Sequence, residues 1–147
     1  MKAVAMVAAA MVLFSASATQ AQDKEYNNYF SDPAVYQRAD LSRALIAFES
    51  CLATDNAGVQ ESAMAHLAML KLVIPAVDAA KISSQLEELS TSAADPGTRY
   101  KAYIASQVYK NPELFAGERG MSYGSGDELF NALAARLQTS LLSYSGK

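Results

Sequence analysis

Apolar residues recur at intervals of three and four along most of the chain after residue 40, which is the spacing of one face of an α-helix. The apolar positions of the first such segment are Leu41, Leu45, Phe48 and Leu52. Asp40 is placed to cap the first turn, so the pattern predicts a helix from about Leu41 to Ala53, with Ala34 as an alternative start. The sequence TDNAG at 54–58 ends this helix, because Asn and Gly readily adopt turn conformations.

Four further segments show the same helical spacing. They are residues 59–74, residues 76–89, residues 98–109 and a last segment that begins at Asp127, which we expect to be its cap. Val59 is expected to face inward in the second helix. The last helix is expected to bury four leucines at a strict spacing of four, Leu129, Leu133, Leu137 and Leu141. No segment alternates with the period of a strand, so the sequence predicts an all-α fold of about five helices, with a loose loop at 117–126.

A short sequence is repeated at an offset of 39 residues. DNAGVQESA at 55–63 aligns without gaps with ADPGTRYKA at 94–102, so that Gly58 matches Gly97 and Ala63 matches Ala102. We expect the glycines where the chain reverses sharply between helices, and the alanines where two helices approach closely. A period of about 40 residues with one helix pair per unit is typical of stacked helical repeats.

The segment LIAFESCLATDNAGVQESAMAHLAML resembles a HEAT repeat, with Val59, Ala63 and Leu67 along its second helix. The resemblance covers about residues 41–109. This chain departs from the HEAT pattern at Gln60, where such repeats usually have Arg, and in the second unit at Thr98 and Ser106. The resemblance implies stacked antiparallel helix pairs, a short α-solenoid, whose concave face binds a protein or peptide. A compact five-helix bundle is the alternative fold.

The N-terminal 21 residues have the composition of a secretory signal peptide. Lys2 precedes an apolar run of 12 residues at 3–14, and the small-residue sequence SASATQA follows. Such a run is too short to span a membrane, which takes roughly 20 residues. We therefore expect cleavage after Ala21, or alternatively after Ala18, and export to the periplasm or, alternatively, secretion from the cell. Residues 22–39 are expected to be irregular, and residues 40–147 to form a single helical domain.

Charge and cysteine content narrow the classes of function. Loss of Lys2 with the signal peptide changes the net charge from −3 to −4, and an acidic chain without clustered Lys and Arg does not favour nucleic-acid binding. Cys51 is the only cysteine, so it cannot form an intramolecular disulfide. We expect it to be buried, with an exposed thiol that reacts or pairs two chains as the alternative. We expect the protein to be a monomer or a weak homodimer.

Residues with catalytic potential are few. His66 is the only histidine and Cys51 the only cysteine, so most ligands of a zinc site would have to be carboxylates. We therefore predict no metal and no cofactor. His66 is expected to lie within or beside the core. The alternative function, a small exported enzyme or thiol-dependent protein, would pair Cys51 with His66 across a helix hairpin.

The sequence RYKAYIASQVYKNPELF combines cations and phenols on one helix. Arg99, Tyr100, Lys101 and Tyr103 are the candidate interaction surface. The interpretation that we favour for this helix is nevertheless structural: Tyr103 belongs to the core, and Arg99 and Lys101 pair with Glu87 and Glu88. The favoured function is accordingly an exported, non-enzymatic helical scaffold that binds a protein or peptide.

Overall fold

The computed structural model describes residues 34–38 and 40–145. Helices are the only regular elements in these two ranges, which confirms the predicted all-α class. They are α1 (Ala34–Arg38), α2 (Leu41–Leu52), α3 (Ala57–Val73), α4 (Ala80–Ser92), α5 (Pro96–Lys110), a 3-10 helix (Pro112–Glu118) and α6 (Gly126–Ser145). The predicted signal peptide and residues 22–33 lie outside the described residues. The first predicted helix does not extend back to Ala34, because α1 and α2 are separate helices, and the expectation that residues 22–39 are irregular is wrong for 34–38.

The repeated sequence forms two equivalent helix starts. The Asn56 side chain accepts a hydrogen bond from the Val59 amide at 3.1 Å, and the Asp95 side chain accepts one from the Thr98 amide at 2.8 Å. These two N-caps lie 39 residues apart, at matching positions of the aligned segments. The predicted role of Gly58 and Gly97 in reversing the chain is wrong, because both lie within the first turns of α3 and α5. Positive φ occurs at Gly120 instead.

The α2–α3 and α4–α5 hairpins stack so that their first helices are neighbours and their second helices are neighbours. α2 contacts α4, and α3 contacts α5, in addition to the contacts within each hairpin. Glu61 of α3 bonds to Thr98 of α5, while the Leu67 carbonyl further along α3 accepts from Tyr109 further along α5. The early residue of α3 contacts the early residue of α5, and the later residue of α3 contacts the later residue of α5, so the two helices run in the same direction.

α3 is the central helix of the described residues. Every residue from 63 to 70 is buried, including Ala63, because α1, α2, α5, the 3-10 helix and α6 all contact α3. A helix that is apolar on all sides is typical of such a position. The 3-10 helix and α6 contact α5 as well, and Ala102 of α5 is buried. The middle of the α3–α5 layer is therefore covered by other elements, and the surface grooves described below lie near the starts of these helices and beside α2.

Two expected core positions are exposed instead. Leu141 is 61% exposed although Leu129, Leu133 and Leu137 are buried. A spacing of four residues advances about 40° too far per step round a helix of 3.6 residues per turn, so the fourth leucine has rotated off the buried face. Val59 is also exposed, because it lies at the surface groove that contains Cys51, described below.

Two helix starts differ from those expected. α4 begins at Ala80 rather than at residue 76, because a turn in which the Val77 amide donates to the Ile74 carbonyl follows Pro75. α6 begins at Gly126, where the Ser125 hydroxyl accepts from the Glu128 amide at 3.2 Å. Asp127, expected to be the cap, lies in the first turn and pairs with a lysine of α5.

Candidate functional site

A groove of about 670 Å³ lies between the α2–α3 turn and the α4–α5 turn. We call it the inter-turn groove. Its position follows from the repeat, since stacking two hairpins in the same orientation places their turns next to each other. The residues that line it are Leu52, Ala53, Thr54, Asp55, Ala57, Gln60, Gln85, Glu88, Leu89, Ser92, Ala93, Ala94, Asp95 and Thr98.

The inter-turn groove is acidic. Asp55, Glu88 and Asp95 contribute three exposed carboxylates, and none of the lining residues in the described ranges is Lys or Arg. The Thr98 amide donates to Asp95 and holds the pKa of this carboxyl below its ordinary value, with a smaller contribution from the Thr98 hydroxyl. The groove therefore presents negative charge to a ligand at neutral pH.

Gln85 contributes a polar atom that is not satisfied within the described part of the chain. Its Nε2 donates to the Glu49 carbonyl of α2 at 3.3 Å, which fixes the amide between α2 and α4. Its Oε1 is buried and has no hydrogen-bond donor among the described residues. A buried acceptor without a partner is costly, and a ligand that donates a hydrogen bond there would remove this cost.

Thr98 is buried and connects the groove to the interior. Its hydroxyl lies 2.9 Å from Glu61 Oε1 and 3.2 Å from Asp95 Oδ2. A hydroxyl has a single proton to donate, so the two carboxylates share it. The Thr98 side chain thus takes part in fixing Asp95 at the groove wall.

Lys101 lies on the far side of Glu61 and is largely shielded from solvent. Its ammonium group is 2.6 Å from Glu61 Oε2 and 2.8 Å from Asp127 Oδ1, and it lies 5.9 Å from the centre of the Phe130 ring. These contacts join α3, α5 and α6. Burial acts to lower the Lys101 pKa, but the hydrogen bonds and charges of the two carboxylates outweigh it and raise the pKa.

The four residues of the predicted interaction surface do not form one exposed patch. Tyr100 and Tyr103 are 52% and 45% exposed, so the favoured structural interpretation, which buries Tyr103 in the core, is wrong. Arg99 donates to the carbonyls of Ala93 and Ala94 and thereby ties the start of α5 to the turn after α4.

The predicted pairing of the two cations with acids of α4 is also wrong. Glu87 pairs instead with Lys110, at 3.2 Å, while Lys101 is held by Glu61 and Asp127 as described above. Of the four candidate residues, only the two tyrosines are exposed, and whether they bind a partner stays a prediction.

Cys51 and His66 line a second groove, of about 330 Å³, between α2 and α3; we call it the Cys51 groove. The Tyr36 hydroxyl lies 2.9 Å from His66 Nδ1, and the Phe48 ring stacks on the imidazole with a centroid distance of 5.9 Å. Burial lowers the pKa of His66 to about 4, so the ring is neutral at pH 7. Cys51 is half-buried, neither enclosed in the core nor fully exposed. The remaining lining residues are Phe48, Asn56, Gly58, Val59, Ser62 and Ala63.

Sequence reasoning missed the inter-turn groove, although the 39-residue repeat contains a signal for it. Asp55 and Ala94 occupy matching positions of the two turns, and Asp95 follows directly. Acidic residues in turns that stack side by side indicate an acidic groove once the stacking is known. The sequence contains no signal for Gln85, because the hydrogen bonding of its Oε1 depends on which helix lies beside it.

No group of three or more His, Cys, Asp or Glu side chains within 34–38 and 40–145 is arranged to hold a metal ion. In the same ranges, no helix is both long and apolar enough to span a bilayer. Comparisons of the chain with protein-family models, with curated proteins and with solved structures give no match.

Proposed function

We propose that this protein is an exported helical binding module that captures a basic segment of a partner protein in the inter-turn groove. One observation carries the proposal: the inter-turn groove combines three carboxylates and a buried amide oxygen without a donor among the described residues, and none of its lining residues in the described ranges is cationic. The function requires no chemical step. The proposed ligand, a protein or peptide, is the kind that the HEAT-repeat resemblance implies. The proposed binding surface differs, because it lies at the turns and not on the concave face.

The chemistry of the groove matches Lys or Arg better than a neutral polar side chain. An ammonium or guanidinium group is a donor without acceptor capacity, so it suits a groove lined by the carboxylates of Glu88 and Asp95 and by the Gln85 amide. The volume of about 670 Å³ lies within the range usual for ligand sites and exceeds what one side chain fills. Apolar contacts with Leu52 and Leu89 suit the methylene portion of such a side chain.

Export is part of the proposal and is supported by the composition of residues 1–21 alone. A periplasmic location is favoured, with secretion from the cell as the alternative. A binding module with a small acidic groove needs no cofactor, and a monomer suffices.

The test is a titration of the folded protein with a fluorescently labelled lysine-rich peptide and with the same peptide in which every lysine is replaced by glutamine. We expect binding of the lysine peptide alone, weakening as salt rises, because the attraction is largely electrostatic. Asp55→Asn and Glu88→Gln should each weaken binding, whereas Glu113→Gln, a charge-matched change outside the groove, should not. Equal affinity for the two peptides would contradict the proposal.

The thiol-dependent alternative is favoured by one specific observation, that Cys51 and His66 line the same groove. A neutral imidazole can accept a proton from a thiol, but His66 Nδ1 is already engaged with the Tyr36 hydroxyl. The rate at which Cys51 reacts with a thiol reagent in folded and unfolded protein separates the two functions. The alternative requires a folded-state rate at least equal to the unfolded one, and we expect a lower rate.

A further inference from the structure

A continuous series of polar contacts connects the wall of the inter-turn groove to the start of α6. Asp95 Oδ2 lies 3.2 Å from the Thr98 hydroxyl, which lies 2.9 Å from Glu61 Oε1. Glu61 Oε2 is 2.6 Å from the Lys101 ammonium group, which is 2.8 Å from Asp127 Oδ1. Asp95 and Thr98 line the inter-turn groove, whereas Glu61, Lys101 and Asp127 do not.

Two carboxylate groups approach the same hydroxyl group in this series of contacts. Asp95 and Glu61 both approach the Thr98 hydroxyl, and both come close to the position that a Cβ atom of Gly97 would occupy. Two carboxylates that approach the same hydroxyl repel each other. Lys101 offsets the charge of Glu61 from the opposite side, so Asp95 can keep its place at the groove wall.

Building on the binding function proposed above, we propose that Lys101 is a positioning residue for the cationic ligand. It touches neither the groove nor the ligand. It acts through Glu61 and Thr98 to hold the Asp95 carboxylate in the orientation in which it caps α5 and faces the groove. A positively charged residue thus favours the binding of a positively charged ligand.

Replacing Lys101 distinguishes a positioning role from a direct effect of its charge on the ligand, because these two explanations predict opposite changes in affinity. If Lys101 acts only through its charge, Lys101→Met makes the groove more negative and the lysine peptide binds more tightly. If Lys101 positions Asp95, the uncompensated Glu61 carboxylate repels Asp95 from its place and binding weakens. A second change, Glu61→Gln in the Lys101→Met protein, removes the repulsion while the amide oxygen can still accept from Thr98.

The experiment measures the dissociation constant of the lysine-rich peptide for these variants, with circular dichroism to confirm that each is folded. We expect Lys101→Met to weaken binding about fivefold and the double variant to return to within about twofold of the unsubstituted protein. Lys110→Met removes a cation of α5 that pairs with Glu87, outside this series of contacts, and should leave binding unchanged or slightly tighter.

The outcomes distinguish the two proposals. If the unsubstituted protein fails to bind the lysine peptide, the proposed function and the role of Lys101 are both overturned. If it binds, but Lys101→Met binds as well or more tightly, or the double variant binds as weakly as the single one, the role of Lys101 alone is overturned.

Discussion

The Tyr109 hydroxyl donates a hydrogen bond to the Leu67 carbonyl at 3.1 Å, joining the last turn of α5 to the middle of the central helix α3. Burial raises the pKa of Tyr109 well above its ordinary value, so the phenol keeps its proton and remains a donor. The ammonium group of Lys71 lies 5.5 Å from the centre of the same ring. One side chain therefore connects the two stacked hairpins near the end opposite to the inter-turn groove.

Replacing Tyr109 with phenylalanine removes this hydrogen bond and keeps the ring. We expect Tyr109→Phe to lower the free energy of unfolding by about 1 kcal/mol, the usual net contribution of such a bond. Urea denaturation followed by circular dichroism measures the change. Tyr100→Phe is the matched control, since Tyr100 is exposed, and it should change stability by less than about 0.5 kcal/mol. Equal effects of the two substitutions would contradict the assignment.

The two repeated glycines should respond differently to alanine. A Cβ atom at Gly58 would lie 3.4 Å from the Asn56 side chain, an ordinary contact, so Gly58→Ala should stabilise the protein by up to about 1 kcal/mol through helix propensity. A Cβ atom at Gly97 would lie 2.9 Å from Asp95 Oδ2 and displace the carboxylate that caps α5. We expect Gly97→Ala to be destabilising, and chemical denaturation of both variants to show opposite signs. Stabilisation by both changes would mean that the Asp95 cap adjusts freely.

The single histidine gives one clear NMR signal to follow with pH. Burial lowers the pKa of His66 to about 4, from an ordinary value of 6.5. The unfolded chain therefore takes up a proton as pH falls below about 6.5, while the folded protein does not until about pH 4, and stability declines over this window. We expect the His66 ring signals to stay constant down to about pH 5. Titration with a midpoint near 6.5 would show that the ring is open to water.

Glu118 should produce a second, more acidic loss of stability. This buried carboxylate accepts a hydrogen bond from the Tyr123 hydroxyl at 2.6 Å and another from Arg136 Nε of α6. The Tyr123 hydrogen bond and the Arg136 contacts outweigh burial and hold the Glu118 pKa below its ordinary value of 4.5. Its contribution is therefore fully present above about pH 4.5 and is lost as pH falls through the lower folded-state pKa.

Glu118→Gln tests this assignment. The variant should be less stable than the unsubstituted protein at pH 7, and the difference should shrink as pH falls below about 4.5, because the glutamine amide does not titrate. Unfolding by urea at a series of pH values measures the difference. Glu113→Gln, at an exposed ion pair with Arg119, should give a small difference with little pH dependence. A difference for Glu118→Gln that does not change with pH would contradict the role of the ionised carboxylate.

Local pattern was sufficient for the class of fold and for most helices. The stripe of Leu41, Leu45, Phe48 and Leu52 and the cap Asp40 depend on residues three or four apart, whose relationship in a helix is fixed by backbone geometry. The repeat at 39 residues likewise indicated two helix pairs with a shared pattern, although the chain reversal predicted at its glycines was wrong. The exposure of Leu141 could also have been deduced from 3.6 residues per turn.

The sequence by itself therefore determined that the chain is helical, where most helices start and end, and that two helix pairs share one pattern. Tertiary structure decided which polar groups meet. Lys101 joins Glu61 and Asp127 rather than the acids of α4. Within the described part of the chain, one oxygen of Gln85 has no donor, and it belongs to a groove that exists only because two turns are adjacent. The physical reason is that side chains 26 to 40 residues apart in sequence come together through the orientation of whole helices, which no local periodicity specifies.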